Sequence, residues 1–196
     1  TDLRQLAADN IDNVEVIRGI PSVEYGDLTS GLVVVHSKVG VTPWQIKAKV
    51  NPAMTNASLT KGFSLNKAGI MNVNLDYAKA WGDPRQKTRS YNRYTFNLGY
   101  SYDLSKRWHT ETKLRLLSAQ DWSGNDPDAI QDGTETKNKT VTVGLTHNGR
   151  ISLDKLFMRS LNYTLGLSYG GTDNVQTSFV PVSTGLLPIL TSKETG

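Results

Sequence analysis

The side chains able to do chemistry in this chain are scattered rather than gathered. Asp121, Asp126, Asp128, Asp132 and Glu135 crowd one stretch, and carboxylates so clustered hold Ca²⁺ when their spacing wraps the ion. The spacing here does not follow the EF-hand loop, so the stretch is expected to be a solvated acidic loop. His36, His109 and His147 stand far apart and form no i, i+4 zinc pair. No G-x-S-x-G elbow offers a nucleophile, and the absence of cysteine removes thiolate metal sites and disulfides. The expectation is a protein with no catalytic residue, no cofactor and no metal, and so not an enzyme. Arg85, Lys87, Arg89 and Arg93 follow Asp83 in a polar stretch. A plain solvated loop is the first expectation there; if the loop is extracellular, Arg85, Lys87 and Arg89 would meet lipopolysaccharide phosphates or an anionic ligand. Glu111, Lys113 and Arg115, with Lys47 and Lys49, suit the mixed-charge wall of a wet lumen. Asn56, Asn138 and Asn162 begin N-x-[ST] triplets, but each falls inside a predicted strand and is read as a chance match.

These residues must be positioned by strands. Tyr94, Phe96, Leu98, Tyr100 and Tyr102 alternate with Thr95, Asn97, Gly99 and Ser101. Leu161, Tyr163, Leu165, Leu167 and Tyr169 do the same around Asn162, Thr164, Gly166 and Ser168. Period two marks a strand with unlike faces. The pattern predicts seven antiparallel strands near 44–51, 55–65, 69–82, 91–104, 107–121, 138–150 and 160–172. Several exceed the common soluble length of about 5–6 residues and match the roughly 9–11 needed to cross a bilayer at a tilt. Connections mostly alternate between shorter and longer, as in barrels with short turns at one end and long loops at the other. Two fit poorly: Pro52–Met54 is short where a loop is due, and 151–159 is long where a turn is due. Aromatics such as Tyr77, Trp81, Tyr94, Tyr100, Trp108 and Trp122 gather near predicted strand ends, like interfacial girdles.

Composition agrees. Hydrophobic content is 37% and mean hydropathy −0.40, lean for one large dry core but sufficient where only alternate residues are apolar. No run of 18 apolar residues forms a transmembrane helix, and Thr1–Asn10 has no signal-peptide pattern. Residues 1–41 hold six acids and three bases, the remainder twelve acids and nineteen bases. The bases are dispersed along strands and loops, which argues against nucleic acid as a partner.

The segment 11–37 has its own character. Val14-Glu15-Val16 leads into Ile17-Arg18-Gly19, then Pro21-Ser22, Tyr25-Gly26, Gly31 and the β-branched run Val33–Val35, expected to be a strand buried on both faces. A short helix is expected at Asp2–Asn10. In order and spacing, 11–37 resembles the end of the plug domain of TonB-dependent outer-membrane receptors. Ile20 departs from the family's frequent proline, and Asp27–Ser30 from its small residues. The resemblance implies a plug ending near residue 41 and an N-terminal barrel part over 42–196, with further chain at both ends. It implies that Glu15, Arg18, Gly19, Pro21, Tyr25, Gly26 and Gly31 belong to the plug motif, with Arg18 pairing carboxylates of the barrel wall. It also implies active uptake of a bulky scarce nutrient such as an iron-siderophore or glycan. The implied partners are the TonB complex, outer-membrane lipid, the imported ligand and a surface lipoprotein. A passive porin or adhesion barrel is the alternative, and a soluble β-sandwich a more distant one.

Overall fold

The computed structural model describes residues 11–18, 32–37, 40–85, 87–124, 133–155 and 158–179. The described chain is mainly β, with no α-helix among these residues. Strands β1 (Ile11–Ile17) and β2 (Leu32–Ser37) pair antiparallel as a two-stranded sheet. Strands β3 (Gln45–Asn51), β4 (Met54–Ser64), β5 (Ile70–Trp81), β6 (Arg89–Ser105), β7 (Trp108–Ser123), β8 (Gly133–Lys155) and β9 (Met158–Phe179) form a second sheet. That sheet is an open antiparallel meander of seven strands in chain order. The expected count is therefore right, and the limits of β3 to β7 fall within two residues of those expected, while β8 and β9 run longer. β8 and β9 reach 23 and 22 residues, well beyond the apolar alternation. The expected 151–159 connection is mostly strand: β8 runs to Lys155 and β9 starts at Met158. The link shortens to the two residues between them and joins the alternation it seemed to break.

Turn chemistry follows from the sequence. At the β3–β4 corner, Asn51 Oδ1 accepts the Ala53 and Met54 amides at 3.0 and 2.8 Å, an Asx-type closure. The β4–β5 connection is a 3₁₀ turn at Asn66–Ala68. It ends on Gly69 at φ +99°, where an added Cβ would lie 2.2 Å from the Ser101 carbonyl oxygen, so glycine is required there. The short links after β4, β6 and β8 share one end of the sheet, and the long links after β5 and β7 share the other.

Register sorts the side chains into two faces. Ile46, Leu59, Leu75, Phe96, Leu116, Val143 and Tyr169 form one row across the whole sheet. Val73, Leu98, Leu114, Leu145 and Leu167 form the next row on that face. The opposite face carries Lys47, Ser58, Asp76, Thr95, Leu117, Thr142 and Gly170. Burial is the reverse of a water-soluble protein's. Asn74 is 1% exposed, and Ser58, Thr60, Asn72, Asp76, Arg93 and Thr95 are buried on the polar face. Ile46, Leu167 and Tyr169 are 78%, 74% and 78% exposed on the apolar face. A single-layer sheet buries one face only by curling toward it, and this sheet curls toward its polar face.

β1 and β2 differ from expectation in packing. Val14, Val16 and Val33 share one face and are half exposed, so that face is not buried among the described residues. The expected helix at Asp2–Asn10 lies outside the described residues.

Candidate functional site

The polar face is built as a hydrogen-bonded wall. Asn74, on β5, donates to Thr60 Oγ1 on β4 at 2.8 Å and accepts from Asn97 Nδ2 on β6 at 3.0 Å. One turn of the pleat further, Asp76 accepts from Asn56 Nδ2 at 3.1 Å and pairs with the Arg93 guanidinium. The side chains of Arg93 and Asp76 are 7% and 1% exposed. A pair so desolvated holds only because both charges are present together. Thr95 Oγ1 and Asn138 Oδ1 are buried with no hydrogen-bond partner among the described residues. Above the pair opens a hollow of about 1350 Å³, lined by Lys47, Lys49, Asn56, Tyr91, Asp121 and Asn138. β3 and β8 both border it, which fits the curl.

The chain reaches this sheet from the polar side. Gly40 O accepts from Asn72 Nδ2 at 3.0 Å, and Thr42 O accepts the Gly62 amide at 3.3 Å. A Cβ on Gly62 would lie 2.0 Å from Gly40 O. Only glycine lets residues 40–42 cross the wall there.

Both ends of the apolar belt carry aromatics. Tyr77 and Tyr94 pair at 5.0 Å toward the long-loop end. Tyr100 and Tyr102 stack at 6.3 Å toward the short-turn end. Lys61, which interrupts an apolar row, lays its ammonium 5.8 and 5.7 Å from the Trp44 and Phe63 rings, shielding its stem along them. His147 also sits on the apolar face, within hydrogen-bond reach of Thr112 Oγ1 at 2.9 Å and Tyr163 OH at 3.3 Å.

Beyond the belt, at the long-loop end, Trp122 Nε1 donates to Glu135 Oε1 at 2.8 Å, and Lys137 Nζ lies 2.8 Å from the same oxygen. These contacts, Lys137 first and Trp122 second, hold the Glu135 carboxyl below its ordinary value. Nearby, the Lys79 and Lys87 ammonium groups lie 5.1 and 5.5 Å from the Trp81 ring centre.

The residues singled out in the sequence fall in different places. Glu15 stands opposite Val34 in β1, and Arg18 just past the end of β1, both exposed. Gly19, Pro21, Tyr25, Gly26 and Gly31 lie outside the described residues. Lys87 lays its ammonium over the Trp81 ring, Trp81 and Arg89 both border the hollow, and the Arg85 amide donates to Asp83 Oδ1 at 2.8 Å. Of the acidic stretch, Asp121 borders the hollow and Glu135 is held at the rim, while Asp126, Asp128 and Asp132 lie outside the described residues. Lys113 and Glu111 pair at 3.2 Å on the polar face. His109 meets Asp103 at 2.7 Å at the short-turn end, far from His147. The Asp76–Arg93 pair and Lys79 went unrecognised, because cross-strand register and a loop's return onto a strand leave no mark in local spacing.

No family model, curated protein or solved structure matches the chain.

Proposed function

We propose that this chain is part of a TonB-dependent outer-membrane receptor, a plugged β-barrel that takes up a bulky, scarce nutrient such as an iron-siderophore or glycan. The carrying observation is the inverted burial of the seven-stranded sheet, with Asn74, Asp76 and Arg93 inside and Ile46, Leu167 and Tyr169 outside. Each such apolar side chain would gain about 1.5–3 kcal/mol by leaving water. A continuous exposed belt of them fits lipid as solvent. The belt has the right height. From Tyr94 to Leu104 in β6 it covers about 33 Å at ~3.3 Å per residue, or about 25 Å at a tilt near 40°, the thickness such barrels present.

The plug rests on two supports. One is the motif around Glu15 and Arg18. The other is the approach of residues 40–42 across the polar face, the side of the sheet that a plug would occupy. In this mechanism no bond is made or broken. Ligand is captured by the long loops and the plug apex, and force from the TonB complex on a segment before the plug shifts it against the wet wall. Lipid and a surface lipoprotein are the other proposed partners.

The full-length protein should fractionate with outer membranes and migrate faster unheated than boiled. Recovery as a soluble protein without detergent would overturn the barrel. In planar bilayers it should be closed, and deletion of the segment before residue 40 should open it. Equal conductance before and after that deletion would favour the passive porin.

A further inference from the structure

Resting on the barrel proposal, we infer that the outward face holds a site for a phosphorylated glycolipid of the outer leaflet, with acyl chains against the β4–β8 groove and a phosphate between Lys79 and Lys87. Three observations converge. The first is a groove of about 540 Å³ on the apolar face, lined by Leu59, Leu75, Tyr94, Phe96, Leu116 and Val143. A concavity of this chemistry takes hydrocarbon.

The second is register. Directly beyond the Tyr77–Tyr94 row that closes the groove, the same face turns polar: Thr55, Lys79, Asn92, Gln120, Lys139 and Asp173 share one row. The row after it carries Trp81, Ser90, Trp122 and Lys137. Hydrocarbon-facing and headgroup-facing levels thus meet between Tyr77 and Lys79, at the long-loop end, which is the extracellular end of such barrels.

The third is convergence of charge. Lys79 from β5 and Lys87 from the β5–β6 loop both bring their ammonium groups onto Trp81. Two ammonium groups beside one indole, at the depth where indoles sit in a membrane interface, concentrate positive charge where a headgroup phosphate would lie. Of the neighbouring acids, Asp83 accepts the Arg85 amide and Glu135 is engaged by Lys137 and Trp122. Asp173 faces Lys139 and lies four strands from Lys79. Asp83 keeps its charge, but Lys79, Arg85 and Lys87 outnumber it over residues 79–87, so the local field stays positive. A free anion would need no groove and a neutral lipid no lysines; the combination selects an amphiphile carrying both.

The test uses the full-length protein in zwitterionic detergent, with diphosphorylated lipid A as probe. The same lipid stripped of phosphate and inorganic phosphate are the comparison arms. Lipid A should bind, dephosphorylated lipid should bind far more weakly, and millimolar inorganic phosphate should not compete. The pair Lys79→Gln and Lys87→Gln should weaken binding about 30-fold, from roughly fivefold per ammonium near an anionic surface. Lys79→Arg with Lys87→Arg should restore it. In the unaltered protein, lipid A with brominated acyl chains should quench Trp81, judged against Trp81→Phe, so the proposal stays testable if the glutamine variant fails to fold. Equal binding of the phosphate-free lipid, displacement by inorganic phosphate, or undiminished binding by a folded glutamine variant would each overturn the site. In a protein that needs detergent, such results overturn the site alone. A protein soluble in water would overturn the barrel beneath it.

Discussion

Placing a charge on Leu167 separates lipid from water as the solvent of the apolar face. Leu167 is 74% exposed and pairs with Leu145 in a row that continues through Leu114 and Leu98 to Val73. That row lies inside the belt, with the Phe96 and Tyr100 rows on either side. In water, arginine at so exposed a position moves stability by no more than about 0.5 kcal/mol. At the bilayer midplane arginine costs about 2–4 kcal/mol, and the depth of this row places Leu167→Arg in the upper half of that range. That is roughly two to three orders of magnitude in the folding equilibrium. The control is the next residue. Ser168 is also exposed but stands on the polar face opposite Gly144, so Ser168→Arg should stay within about 0.5 kcal/mol. The assay is reversible urea unfolding of the full-length protein from phosphatidylcholine vesicles, followed by tryptophan fluorescence and by unheated-versus-boiled mobility. Equal effects from the two substitutions, or two neutral ones, would refute lipid as the solvent of this face.

Two further outcomes follow from the charged contacts. Asp76→Asn should cost about 3–5 kcal/mol by leaving Arg93 buried without its counter-charge, and adding Arg93→Gln should recover most of that loss; a double-mutant cycle with no coupling would disprove the pairing. Glu135 is held below its ordinary value of 4.5 by Lys137 and Trp122. Its contribution is therefore complete above about 4.5 and lost as pH falls through the lower folded value. Trp122 emission should change with a midpoint below 4.5 and stay flat in Glu135→Gln.

The sheet was legible because lipid-like and water-like faces imprint period two on the sequence. Tyr94–Tyr102 and Leu161–Tyr169 are each apolar on one side and small or polar on the other, and the register puts every one of those side chains on the expected face. The long-loop ends of β8 and β9 were not legible for the same reason. Beyond the belt at the long-loop end the residues are mostly polar, so Thr134–Lys137 and Asn174–Ser178 lose the alternation while the backbone pairing continues. The wall chemistry was half legible. Lys47, Lys49, Glu111, Lys113 and Arg115 do face the polar side. The deepest pair, Asp76 with Arg93, joins residues on two strands whose relation depends on the length of the β5–β6 loop. Lys79 was hidden because it is an unremarkable strand residue until Lys87 returns over the same ring.

The two edges of the sheet bear on how a barrel could be completed. β3 has 7 residues, exposed on both faces, and β9 has 22. Bringing β9 against β3 would satisfy at most about a third of the backbone groups along the open side of β9. In lipid each unsatisfied group costs several kcal/mol, so these seven strands do not close on themselves as a membrane barrel. Under the proposed function, the strand beyond β9 must be long, because strands beside each other share their pairing length. The rim rises in step from β3 toward β9, with 7 and 11 residues in β3 and β4 against 23 and 22 in β8 and β9. The wall is therefore lowest where residues 40–42 cross to the polar side. It is highest where β8 and β9 extend past the apolar belt, so under the proposed function β8 and β9 would offer a captured ligand more wall than β3 and β4.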